Sequence, residues 1–121
     1  MASRNKLIGG WGEEIALKYL KKKGYRPVSA GYHTRFGEID LIVKDRKYVV
    51  FVEVKLRKDD SFAQAREFVN AAKQRRLRLT AELWLQNNET ALQPRFDVIE
   101  IYAKDGEKTV SPTVYHLENA F

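Results

Sequence analysis

A chain of 121 residues, 44% of them hydrophobic, is long enough for one domain with a buried core, and the expectation is a single domain over residues 1–121. It has no cysteine, which excludes a disulfide framework and a thiolate metal site. The net charge of +6 favours polyanionic partners, because each phosphate neutralised releases counterions, although many basic proteins bind no nucleic acid.

No apolar run approaches the roughly 18 residues of a membrane span. The start, MASRNKLIGGWGEE, has no apolar segment followed by a small-residue cleavage site. A cytoplasmic location with no membrane partner is therefore expected. There are no internal repeats and no low-complexity tract.

Residues from about Lys6 to Lys23 read as a helix. Ile8, Gly12, Ile15, Ala16, Tyr19 and Leu20 recur at the helical period, and Gly24 stands where a C-terminal cap belongs. Its adjacent acids separate on the wheel. Glu13 falls within roughly 20° of Leu20, at the border of the core, while Glu14 lies toward Lys18, Lys21 and Lys22.

A strand is predicted from Tyr25 to about Tyr32, then a polar connection from Gly31 to Gly37 containing His33 and Arg35. Glu38 to Lys44 and Tyr48 to Leu56 read as strands of a hairpin through Asp45-Arg46-Lys47. Arg57 to Ser61 is a charged loop. A second helix runs from near Asn70, a good N-cap, to Gln86, with Leu77, Ala81, Trp84 and Leu85 as its buried stripe. After a break around Asn87, Asn88 and Pro94, strands are predicted over Phe96 to Tyr102 and Thr113 to Leu117, separated by the turn Asp105-Gly106. The order is α-β-β-β-α-β-β, an α/β domain with a mixed sheet.

The hairpin carries ionisable residues inside dense apolar runs: Asp40 within Ile39-Leu41-Ile42-Val43, and Glu53 and Lys55 within Val49-Val50-Phe51-Val52-Val54. Burying an unpaired charge is costly. Strand alternation places Glu53 and Lys55 on one face. A hairpin loop of two or four residues sets Asp40 across from Glu53. Two adjacent carboxylates raise one another's pKa unless a cation lies between them. A hard divalent ion meets that need. An Asp/Glu-Lys ion-pair network without chemistry meets it equally well, and the residues alone leave both open.

The D…ExK pattern of Asp40 and Glu53-Val54-Lys55 resembles the PD-(D/E)XK nuclease superfamily, with its restriction-endonuclease-like fold. Four blocks, Gly12-Glu13, Gly37-Glu38-Ile39-Asp40-Leu41-Ile42, Phe51-Val52-Glu53-Val54-Lys55 and Lys73-Gln74-Arg75-Arg76-Leu77, resemble the small bacterial YraN-like family. That family is similar in architecture to archaeal Holliday-junction resolvases. The residue before Asp40 is Ile39 where the superfamily pattern has proline. The resemblance implies an α-β-β-β-α-β core, its mixed central sheet flanked by helices. It also implies a Mg²⁺ site, with Mn²⁺ able to substitute, ligated by Asp40, Glu53 and Glu13. Lys55 would be the catalytic lysine, and Gln74, at the start of the second helix, would reach the site or a phosphate. Without the resemblance, Glu13 is a core-edge glutamate and Gln74 a satisfied core amide.

Lys73, Arg75, Arg76 and Arg78 form a basic helix face beside this site, and Arg35, Arg57 and Lys58 flank it. Such a face is either solvated or a surface for phosphate contacts. His33 and His116 read as surface or packing residues, Trp11 and Trp84 as core, and Asp97 as a structural acid pairing with an arginine. No helix-turn-helix, zinc finger or second domain is visible, so backbone or shape recognition is expected over sequence readout. The leading expectation is an Mg²⁺-dependent endonuclease acting on DNA, with branched or junction substrates and a homodimer as the analogous features. A nucleic-acid-binding module without turnover and a structural scaffold are the competing classes.

Overall fold

The computed structural model describes residues 10–58 and 69–121. The first helix, α1, spans Trp11–Lys22, and the chain leaves it through Gly24, whose φ of +99° suits a residue without a side chain. Three strands follow, β1 (Arg26–Thr34), β2 (Gly37–Lys44) and β3 (Tyr48–Arg57), paired antiparallel. Helix α2 (Ala71–Asn87) crosses over to β4 (Gln93–Tyr102), and β5 (Thr113–Leu117) closes the sheet. The strands lie in chain order. Among the described strands only β3 and β4 run parallel, as a helical crossover requires. This is the expected α/β mixed sheet flanked by helices. The expected start of α1 at Lys6 and the end of the charged loop at Ser61 lie outside the described residues.

Two boundaries differ from expectation. β1 runs on to Thr34 because its ladder with β2 continues through Tyr32↔Ile39, His33↔Glu38 and Thr34↔Gly37. The polar connection shrinks to Arg35-Phe36, where the Phe36 N–H donates to Thr34 Oγ1 at 3.1 Å. β4 begins at Gln93, with Pro94 tolerated at its exposed start.

The sheet buries both faces. Ala16 and Leu20 of α1 pack on Leu41, Val43, Val50, Val52, Ile99 and Ile101. Leu77, Ala81 and Trp84 of α2 pack on Ile39, Ile42, Val49, Phe51 and Val98. Burial on both faces is why β2, β3 and β4 read as nearly continuous apolar runs. Asn70 caps α2 as expected, accepting from the Lys73 N–H at 2.9 Å. Thr80 joins the buried stripe and satisfies its hydroxyl on the Arg76 carbonyl at 2.8 Å. Among the described residues no helix is long and apolar enough to cross a membrane.

Asp97 is fully buried and pairs with an arginine, as read from the sequence. Arg95 donates to it from Nε at 2.9 Å and from a terminal nitrogen at 2.8 Å, and the same guanidinium donates to Tyr25 Oη at 2.7 Å. His116 does more than pack: its Nε2 lies 2.6 Å from Asp97, and the Asn119 N–H donates to the same carboxylate at 3.0 Å. Burial pushes the Asp97 carboxyl up, but His116, Arg95 and the Asn119 amide outweigh it and hold it below its ordinary range. His33 is exposed, and Trp84 is buried while Trp11 is half-buried.

Candidate active site

The β2–β3 register, from Lys44↔Val49 to Leu41↔Val52, leaves a four-residue loop. The Asp45 carboxylate holds that loop by accepting from the N–H groups of Lys47 at 2.9 Å and Tyr48 at 2.8 Å. One further step of the register sets Asp40 opposite Glu53. There the regular ladder stops. Ile39 would next face Val54, but the Val54 N–H donates instead to Asp40 Oδ2 at 2.8 Å. A side-chain carboxylate thus takes an amide that a continuing ladder would give to a backbone carbonyl.

By alternation Glu53 shares the α2 face with Val49 and Phe51, and Asp40 follows Ile42 toward it at the point where the β2 alternation slips, Ile39 packing on that side as well. The Asp40 carboxylate lies close enough to Glu53 for the two negative charges to act on one another. Burial, then the negative charge of Glu53, push the Asp40 carboxyl up to about 7, against the opposing Val54 N–H. Glu53 is buried and holds two ammonium groups: Lys55 Nζ lies 3.1 Å away, and Lys73 Nζ forms a close ion pair. Burial lowers the Lys55 pKa, and the neighbouring Lys73 adds to that. For Lys73 burial works downward, but the bond to Glu53 wins and raises it.

Glu13, expected as a third ligand, is turned toward this end of the sheet but does not join the pair. Its carboxylate accepts from its own backbone N–H at the start of α1, where free amides are available. Burial raises its pKa, and the charges of Glu38 and Glu53 raise it further. Among the described residues no three acids or histidines are close enough to make a ready-formed metal cage.

Gln74 also departs from expectation. Its Nε2 donates to the Val69 carbonyl at 2.9 Å, and the residue lines a separate cavity of about 440 Å³ with Val98, Leu117 and Phe121. Lys73, one position earlier, faces the carboxylates instead, because a buried Glu53 needs compensating charge and the lysine stem reaches it.

Of the other basic residues, Arg75 and Arg76 are exposed on α2. A Cβ built on Gly37 would lie 3.8 Å from the Arg76 Cβ, so this face adjoins the turn that carries the exposed Arg35. Arg78 stacks over Phe96 and Phe121, 5.2 and 5.7 Å from the ring centroids. Arg57 is half-buried at the end of β3, lining a hollow with Trp11 and Glu13. Two contributors were missed by reading the sequence: Lys73 as a partner of Glu53, and Glu38, whose charge reaches Glu13. Glu38 lies two residues before Asp40, so strand alternation was the available signal for it. For Lys73 no sequence signal separates it from the other cations of its helix.

Two neighbouring oxygen-donor carboxylates, Glu53 buried and Asp40 half-buried, suit a hard divalent ion that keeps several waters. The span over which this chain matches a known family includes these residues. The family described as uncharacterised protein family UPF0102 matches residues 12–101. A UPF0102 protein from Pelotomaculum thermopropionicum is 43% identical over 122 residues, covering 100% of both chains. One from Alkaliphilus oremlandii is 42% identical over 120 residues, covering 97% of this chain and 99% of the relative. One from Vibrio parahaemolyticus is 46% identical over 97 residues, covering 78% of this chain and 80% of the relative.

Proposed function

The chain belongs to the UPF0102 family, a PD-(D/E)XK nuclease-like family, and on that premise we propose that it is a metal-dependent endonuclease hydrolysing DNA phosphodiester bonds. The carrying observation is the placement of Asp40 one register step from the buried Glu53, its carboxylate fixed by the Val54 N–H at 2.8 Å, where burial and the charge of Glu53 push it up to about 7. A divalent cation relieves that repulsion, whereas a purely structural hairpin gains nothing from it.

Asp40 and Glu53 would hold Mg²⁺ or Mn²⁺ through carboxylate oxygens, with water and phosphate oxygens completing the coordination. Bound there, the cation supplies Lewis-acid polarisation of a phosphate oxygen. Lys55, 3.1 Å from Glu53, is placed to orient an attacking water and to offset charge building on the phosphate. Glu13 adds negative potential that favours the cation without itself binding it. Arg75, Arg76 and Arg35 border the site and would contact the phosphate backbone, which is shape-based and not sequence-based recognition. Branched or junction DNA suits such recognition. A two-fold homodimer would present two such sites to the two strands, and the expected compartment is the cytoplasm.

A second reading has its own support: with Glu53 already held by two lysines, the cluster can be a nucleic-acid-binding site without turnover. A cleavage panel over linear, nicked, flap and four-way DNA, with Mg²⁺ and with Mn²⁺, divides the two. Cleavage lost in Asp40→Asn supports the nuclease. Metal-linked heat that Asp40→Asn abolishes, with every substrate left intact, supports the binding module. Neither metal nor DNA binding would leave a scaffold.

A further inference from the structure

We propose that Lys73 is the internal counter-cation of the site, and that a divalent ion seats on Glu53 only as the Lys73 ammonium leaves it. The inference rests on the metal-site reading above. With both carboxylates ionised, Asp40 and Glu53 set two negative charges against the two positive charges of Lys55 and Lys73, so the cluster balances without a metal, while Glu13 adds a weaker negative potential from α1. A divalent ion added to all four leaves a surplus of two positive charges in a site largely removed from water, which is costly. One ammonium must therefore withdraw.

The structure distinguishes the two candidates. Lys55 projects from β3, the strand paired on both sides by β2 and β4, and its side chain is 19% exposed. Lys73 projects from the first turn of α2, and its side chain is 27% exposed. Its own N–H is fixed on Asn70, so the backbone stays put while the four-carbon stem swings. The first turn of α2 holds no acid, so nothing there balances a cation lying against the positive end of the helix dipole. Glu53 is what holds Lys73 inward. Once released, the ammonium lies beside the exposed Arg75 and Arg76, where a phosphate would receive it. Lys73 is thus a positioning residue that sets how readily the site takes its metal.

Calorimetric titration of Mg²⁺ into the full chain tests this on wild type, Lys73→Met, Lys73→Arg and Asp40→Asn, with thermal melts confirming that each is folded. Lys73→Met should bind Mg²⁺ about tenfold or more tightly than wild type. Lys73→Arg, which keeps the charge, should bind like wild type, and Mg²⁺ should raise the melting temperature of Lys73→Met most. Equal Mg²⁺ affinity in wild type and Lys73→Met, with binding abolished by Asp40→Asn, overturns the role of Lys73 and leaves the metal site standing. Absence of Mg²⁺ binding in every variant overturns the metal site itself, and the role of Lys73 with it.

Discussion

Replacing Asp40 by asparagine should stabilise the metal-free protein, and only where the carboxylate would be charged. The folded-state carboxyl is raised from 3.8 to about 7. The native state therefore binds more protons than the unfolded chain across that interval, and stability falls as pH rises through it. At about 1.4 kcal/mol per tenfold in the proton equilibrium, the full interval is worth about 4 kcal/mol. Asp40 is only half-buried and water screens part of the repulsion, so about 2 kcal/mol is the working figure. Asparagine keeps an oxygen to accept the Val54 N–H and gains an amide that can donate to Glu53. For a chain of this size the gain corresponds to a melting temperature roughly 8 °C higher at about pH 8, fading to nothing near pH 4. Thermal melts followed by circular dichroism at both pH values, with chelator present, measure it. A melting temperature unchanged or lowered at the higher pH, or raised equally at both, would refute the buried-repulsion account.

Glu53→Gln should act in the opposite sense, since it leaves Lys55 and Lys73 facing a neutral amide. Relief of Asp40 offsets part of that, and with both lysines partly exposed a net loss of about 1–2 kcal/mol is expected in denaturant melts. Unchanged stability would show that the two ion pairs contribute no more than the relief of Asp40 returns. The double change Arg75→Glu with Arg76→Glu should weaken DNA binding and flatten the plot of log affinity against log salt by about 1.8, from roughly 0.9 per lost phosphate contact. An unaltered slope would make this face merely solvated.

The hairpin was legible in the sequence because its geometry is local. Strand alternation and an even loop are enough to bring Asp40 and Glu53 onto one face, and the structure does so. The pairing of Asp97 with an arginine was legible because Arg95 lies two residues away on the same strand face. What depended on docking between elements was not. Lys73 and Gln74 stand about 100° apart on a helix wheel. Which of them meets the carboxylates is decided by how α2 lies on the sheet, a rotation that periodicity does not define to better than one residue. Glu13 was placed on the correct side of α1, but its side chain had the competing choice of its own backbone N–H. His116 joins Asp97 across the β4–β5 pairing, and nothing within its own strand signals that partner.

The stretch of chain between Asp40 and Glu53 is short, whereas Lys73 lies in the crossover helix and reaches Glu53 only when α2 docks on the sheet. Closing the short loop costs less entropy, so the hairpin is favoured to form before α2 docks. The two acids then meet before one of their counter-charges arrives, and their repulsion falls on the folding barrier as well as on the final state. Protonating Asp40 removes it at that early stage. Refolding followed by stopped flow should accordingly be faster in mild acid than in alkali. Asp40→Asn should fold at the faster rate in both; a rate indifferent to pH and to that substitution would place the acid–acid contact after the barrier.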